Sequence, residues 1–227
     1  NTNQFLTNTF NSSVSYSKRF VGTPFNLSVA ATHTQNTNNK SINMTFPSVN
    51  LTMSKIFPFE GKGGVKKNPL QKMGFDYAMQ GEYRINTMED EFLTSAMFRS
   101  AKSGIKHRTG TSTNVKAFRY FTLSPSVSYQ EIWNFNYLKK TYNETDQEVI
   151  TDTIRGFKSF REYNTGVSLS TNIYGTFKFK KGRLRAIRHT IRPSISYNYT
   201  PDFARKYEER VQRTADPLDI ETYTPFD

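Results

Sequence analysis

The densest set of chemically capable side chains is KFKKGRLRAIRHTIR at 178–192, which holds Lys178, Lys180, Lys181, Arg183, Arg185, Arg188 and Arg192. Ammonium and guanidinium groups this close together suit phosphate oxygens on a lipid headgroup or another polyanion, through charge-assisted hydrogen bonds. The same run also suits a solvated turn that keeps a connection out of a membrane, and the sequence leaves both readings open. A second basic run, GKGGVKK at 61–67, has glycines but lacks the GxxxxGK[ST] spacing that cradles nucleotide phosphates. It reads as a flexible turn.

Other chemistry is thinly supplied. Cysteine is absent, which excludes disulfides, thiolate catalysis and Cys-ligated metals. His33, His107 and His189 lie far apart and form no metal-ligand spacing. Acidic residues at Met88–Glu91 and Asp146–Glu148 lack the D-x-[DN]-x-[DN]-G pattern of a calcium loop and read as solvated. No GxSxG elbow supports a hydrolase. No catalytic residue, metal or cofactor is expected, and the chain does not read as an enzyme. The N-x-[ST] sequons at Asn11, Asn26, Asn39, Asn43, Asn50, Asn143 and Asn198 arise by chance in faces rich in Ser, Thr and Asn.

Composition narrows the elements that must carry these residues. Lys and Arg number 31 against 19 Asp and Glu, a formal net charge of +12 that favours anionic partners. Hydrophobic residues make up only 35%, yet aromatics reach 15%, with 19 Phe and 13 Tyr. That excludes a disordered chain, which is poor in aromatics, and leaves little aliphatic material for a thick core. No run approaches the ~18 apolar residues of a membrane-spanning helix. The chain opens at Asn1 with no charged-then-apolar leader and ends without a terminating pattern, so it is expected to be a piece of a longer protein.

The dominant signal is alternation. In FTLSPSVSYQEIWNFNYLK, Phe121, Leu123, Val127, Tyr129, Trp133, Phe135 and Tyr137 fall on odd positions, with small polar residues between them. Similar runs occupy Leu6–Phe20, Phe25–Thr32, Met44–Met53, Phe75–Asn86, Tyr163–Phe179 (including Val167, Leu169 and Ile173) and Ile191–Tyr199. The phase slips at Pro47, which suggests a bulge. A weaker segment lies near 105–117. Period-two alternation this extended predicts about eight long antiparallel strands and excludes a helical protein. Longer connections are expected near 87–104, 139–160 and 200–227, mostly at one end, with a short helix within Glu91–Lys102.

Two architectures fit. A soluble sandwich turns its apolar faces inward, whereas a transmembrane barrel turns them to lipid around a polar lumen. Strand length, an almost uncharged Ser/Thr/Asn/Gln face and aromatics gathered toward strand ends favour the barrel. Phe121, Leu123, Val127, Tyr129, Trp133, Phe135, Val167, Leu169 and Ile173 are then expected to face lipid. Glu131 shares their phase and is expected at the membrane edge. Open edges are forbidden in lipid, so the strands form either a closed barrel or an arc of a larger up-and-down one, and the fragment-like ends favour the arc. The aromatics oppose the polar residues instead of flanking a basic track, which argues against nucleic-acid binding.

The stretch YGTFKFKKGRLRAIRHTIRPSISYNYTPDF (174–203) resembles the LptD family of Bacteroidota type, with supporting pieces in order at 46–59, 73–87, 104–133 and 149–177. The resemblance implies a very large barrel in the bacterial outer membrane and lipopolysaccharide transport and assembly without covalent chemistry. It implies lipopolysaccharide and outer-membrane lipid as partners, with a plug-like lipoprotein and periplasmic bridge proteins. Another large outer-membrane barrel, for protein secretion or nutrient uptake, and a soluble β-rich adhesin module are the alternative readings.

Overall fold

Backbone pairing decides which side chains share a face, and here one ladder crosses most of the chain. The structure, a computed structural model, describes residues 8–180 and 185–226. Strand β1 (Thr9–Arg19) turns into β2 (Phe25–Asn36), β3 (Ser41–Ile56) and β4 (Gly74–Met88). A connection carrying α1 (Ser95–Ser100) leads to β5 (Lys102–Ser112) and its short continuation β6 (Val115–Ala117). Then come β7 (Phe121–Asn143) and β8 (Glu148–Thr171), the two longest strands. A hairpin of β9 (Ile173–Lys178) and β10 (Ala186–Ile191) returns the chain to β11 (Ser194–Tyr199). The last segment holds α2 (Ala204–Tyr207), β12 (Glu209–Gln212) and β13 (Ile220–Tyr223).

The main sheet runs β1-β2-β3-β4-β5-β7-β8-β11, with β6 alongside β7, and every pairing is antiparallel. The expected all-β meander is what forms. The sheet does not close, and β1 and β11 are its outer strands, as in an arc of a larger barrel. Strand starts climb across it. Phe25, at the start of β2, is level through Met53, Tyr77 and Thr109 with Tyr129, well inside β7. Such stagger is what strand tilt in a barrel requires.

The bulge expected at Pro47 is present. Pairing of β3 shifts between Thr45 and Ser48, on either side of a residue that donates no N–H. A further shift between Asn134 and Asn136 sets Phe135 against a bulge in β8.

Several expected boundaries move. The connection expected near 139–160 is instead mostly strand, because β7 and β8 stay paired out to Asn143 and Glu148 around a four-residue turn. The gathering of long connections at one end is therefore not what distinguishes the two ends. Overhang of the β7–β8 hairpin does. The weak segment near 105–117 is strand except at Thr113–Asn114, since its Thr, Lys and Arg lie opposite well-patterned neighbours on β4 and β7. The run Ile191–Tyr199 is interrupted at Arg192–Pro193. The expected helix within 91–102 forms as α1, with Thr94 accepting from the Met97 N–H at 3.4 Å.

There is almost no interior. Among the described residues only Ile42, Ile85, Met97, Ala101, Val211 and Tyr223 are buried hydrophobics. The one compact cluster is Ile85, Met97 and Ala101, flanked by Met44 and Tyr83, where α1 packs on β3 and β4. No helix among the described residues is long and apolar enough to cross a membrane.

Candidate functional site

The ladder sorts the sheet into two chemically distinct faces. One cross-strand row joins Tyr16, Val29, Val49, Gly81, Ile105 and Trp133. On this face lie Phe121, Leu123, Val127, Tyr129 and Trp133 of β7, with Val167 and Leu169 of β8 across from Pro125 and Leu123. Phe135 joins them through Phe157, whose ring lies 6.0 Å from it and 6.1 Å from Trp133. Ile173 continues the same phase into β9. Apart from the patch where α1 packs on Met44, Tyr83 and Ile85, this face has no covering layer among the described residues: Val127 is 44% exposed and Ile173 52%. The nine residues expected to face lipid therefore fall in one phase of the ladder, with Phe121, Val127, Phe135, Val167 and Ile173 exposed and the other four half-buried.

A polar knot interrupts that surface at Glu131. Tyr129 Oη donates to Glu131 Oε2 at 2.7 Å, while Trp133 Nε1 and Arg161 Nε donate to Oε1 at 2.8 and 3.0 Å. His107 stacks on Trp133 with centroids 4.2 Å apart, and its Nδ1 meets the Tyr77 hydroxyl at 2.7 Å. Every donor comes from the same face of a neighbouring position, so the alternation that makes the face apolar also satisfies this carboxylate. Glu131 keeps the phase expected of it.

The opposite face is polar. Its rows include Ser17, Ser28, Asn50, Gln80 and Lys106, and below them Asn26, Thr52, Ala78, Arg108 and Gln130. Composition of the flanking strands made this face look nearly uncharged, yet β5 contributes Lys102, Lys106 and Arg108 to it. The signal was present as basic residues recurring at even positions of a strand whose alternation is weak. Glu82 is occupied on both oxygens, by Arg84 Nη2 at 2.8 Å and Gln80 Nε2 at 2.9 Å. Among these residues a cleft of about 320 Å³ opens, lined by Arg84, Lys106, Asn134, Asn136 and Tyr137 among others.

The segment after Thr200 lies along the edge of β8 and across this polar face. Asn164 Nδ2 donates to Thr200 Oγ1 at 2.5 Å, and the Arg161 N–H donates to Tyr207 Oη at 3.0 Å. Phe160 then stacks with Tyr207 and Phe226 at 4.8 and 5.6 Å. Beyond it Lys158 binds Glu209, Lys140 Nζ donates to Glu221 Oε1 at 2.7 Å, and the Leu138 N–H donates to Pro225 O at 2.9 Å. The hydrogen bond from Lys158, joined by one from the Tyr223 hydroxyl, holds the Glu209 carboxyl below its ordinary pKa.

The basic hairpin is a separate element. Its pairing, Ile191 with Ile173 and Ile187 with Phe177, keeps the register of β8 with β11, so the two ladders form one ribbon broken at Arg192–Pro193. Thr176 pairs with Arg188 and Lys178 with Ala186, which places Lys178, Arg188 and Tyr174 on the face opposite Phe177 and Ile187. The Arg188 guanidinium lies 4.8 Å from the Tyr174 ring. Arg185 backs onto Phe179 through a main-chain bond, and Lys180 and Arg192 flank the strands. Lys181 and Arg183 lie outside the described residues, as does Leu6 at the start of the chain. Among the described residues these cations make no ion pair, and no acidic residue occurs between Glu162 and Asp202.

No group of three or more His, Asp or Glu among the described residues could hold a metal ion. No curated protein and no solved structure matches the chain. The family model described as LptD protein does match, over residues 1–227 and so across every strand above. The chain belongs to the LptD family, outer-membrane proteins that act in lipopolysaccharide transport and assembly.

Proposed function

We propose that this chain is an arc of wall, of the Bacteroidota type, in an outer-membrane barrel that delivers lipopolysaccharide to the outer leaflet. One observation carries the reading: a single-layer sheet has an apolar face that, outside the patch where α1 packs on Met44, Tyr83 and Ile85, no second layer of the described chain covers. In water such a face would be covered by a second layer, whereas in a bilayer lipid acyl chains cover it. The polar face then borders a hydrated lumen along Ser124, Ser126, Ser128 and Gln130. A plug-like lipoprotein and periplasmic bridge proteins are the partners such a wall implies.

Membrane depth follows from β7. From Phe121 to Glu131 is about ten residues at ~3.3 Å each, and a strand tilted ~35–45° then rises roughly 25 Å, the height of the apolar band. Glu131 and its donors fall at the far margin of that band, and the overhanging β7–β8 hairpin stands outside it. The basic hairpin of β9 and β10 lies at the other margin, where Lys178, Lys180, Arg185, Arg188 and Arg192 meet anionic groups.

The chain has no cysteine, so single introduced thiols report single positions. In membranes, Val127→Cys is expected to react only with lipid-soluble reagents and Ser128→Cys with a water-soluble maleimide. The reverse pattern sinks the assignment of faces. For the hairpin, changing Arg183, Arg185 and Arg188 together to Gln is expected to slow lipopolysaccharide delivery. Unchanged delivery makes the cluster a solvated turn.

A further inference from the structure

The polar face carries a concave feature that transport past a smooth wall does not need. The cleft above β4, β5 and β7 has a volume of about 320 Å³, at the small end of ligand sites and sufficient for a sugar ring or two. Its floor is flat because Gly104 lies there: a Cβ at that position would sit 3.1 Å from the Trp133 carbonyl oxygen and 3.3 Å from Asn134 Oδ1. Around it stand the amides of Gln80, Asn134 and Asn136, the apolar surface of Ile132 and the ring of Tyr137. Amides beside an apolar or aromatic surface match a sugar, which offers hydroxyls at its rim and C–H groups on its face.

Charge adds the second half of the specificity. Glu82 is the cleft's one carboxylate, and Arg84 and Gln80 already occupy both its oxygens. Lys106 also lines the cleft and makes no ion pair among the described residues. Its ammonium therefore points an uncompensated charge at whatever enters. The nearby cations Lys140 and Lys158 differ, because Glu221 and Glu209 of the last segment neutralise them.

We infer that this cleft is a binding site for a saccharide bearing an anionic group, phosphate or carboxylate. It would hold the sugar by amide hydrogen bonds while Lys106 takes the charge. The inference rests on the polar face being the lumenal one, and it adds a resting place to a surface otherwise read as a passage.

The test is equilibrium binding to the full chain in detergent micelles, with glucose 6-phosphate, glucuronate, glucose and inorganic phosphate as probes. Glucose 6-phosphate or glucuronate is expected to bind at least tenfold more tightly than glucose or phosphate alone, since only they engage both halves of the site. Which of the two binds identifies the anion. Lys106→Gln is expected to weaken that binding about tenfold. Asn134→Ala is expected to weaken it severalfold, and Lys178→Gln on the distant hairpin to leave it unchanged. Equal binding of all four probes, or binding indifferent to Lys106→Gln and Asn134→Ala, overturns the inference. A chain whose Ser128→Cys thiol still reacts from water, yet binds no charged sugar, loses this inference alone. One whose Ser128→Cys thiol reacts only from lipid loses the assignment of faces as well.

Discussion

The two halves of the β7–β8 ladder carry the same pairing and opposite chemistry. From Phe121 to Val127 the bare face of β7 is Phe, Leu, Pro and Val, set against Thr171, Leu169, Val167 and Thr165. From Tyr129 onward the same face gathers Tyr129, Trp133 and Arg161 around Glu131 in a hydrogen-bonded knot, with the His107–Tyr77 pair packed against Trp133. The other face changes at the same level. Below it shows Ser124, Ser126 and Ser128; above, Phe160 is roofed by Tyr207 and Phe226, and Lys140 and Lys158 are paired. On the membrane placement proposed above, a single strand passes from a region where hydrocarbon covers one side to a region where both sides carry polar groups. The lesson is that the boundary of the medium is written across the ladder, in cross-strand partners, more clearly than along any one strand.

The largest expected effect breaks the lower half. Val127→Arg places a guanidinium mid-band and should destabilise the inserted barrel by about 2–4 kcal/mol, whereas Phe157→Arg above the knot should change it by no more than ~1 kcal/mol. Folding into lipid vesicles, followed by heat-modifiable gel mobility, compares the two. Equal effects mean that the halves do not sit in different media.

Next comes the knot itself. Glu131→Ala strands the Trp133 N–H, the Tyr129 hydroxyl and the Arg161 guanidinium together, at a cost of about 1–3 kcal/mol. Removing Tyr129's hydroxyl alone with Tyr129→Phe should cost roughly 0.5–1.5 kcal/mol, because two donors to Glu131 remain. Denaturant midpoints order the two variants, and a reversed order places the stabilisation elsewhere.

The roof over the upper half is expected to be weaker still. Phe226→Ala removes one ring of the Phe160–Tyr207–Phe226 trio, worth about 1 kcal/mol beyond lost area. The readout is faster hydrogen exchange at the Arg161 N–H, which Tyr207 now shields. Acid should act in the same direction. Glu209 is held below its ordinary pKa chiefly by the Lys158 hydrogen bond, so its contribution is fully present above the ordinary glutamate range. It is lost as pH falls through the lowered value, and Glu209→Gln should remove this acid-dependent loosening. Persistence of the loosening in that variant assigns it to another group.

The smallest effect belongs to the basic hairpin. Changing Lys178, Lys180 and Arg188 to Gln should leave folding within ±0.5 kcal/mol, since these exposed cations have no acidic partner among the described residues. Its consequence should appear only with anionic lipid or ligand present, and should fade at high salt.

Much of this was legible in the residues. Alternation at Phe121–Trp133 and Phe25–Val29 marked the strands and the shared face, because a pleated strand alternates its side chains whatever surrounds it. The phase slip at Pro47 marked the bulge for the same reason. Residues 139–160 resemble a connection in the sequence because their charges, Lys139, Lys140, Asp152, Arg155 and Lys158, look like a loop in isolation. Partners on the neighbouring strand and on the last segment keep that stretch in the ladder. The place of Lys106 is not legible in the sequence because a glycine- and threonine-rich strand has little alternation to set its phase.

The sequence by itself determined most of the strands, the two-faced sheet and the separation of apolar from polar side chains, since these depend on neighbours one or two positions away. Only the tertiary structure decided which strands lie level, and with it the knot around Glu131, the cleft around Lys106 and the roof over Phe160. Those features join residues from strands far apart in the chain, and a register slip of one residue would have turned every one of them to the other face.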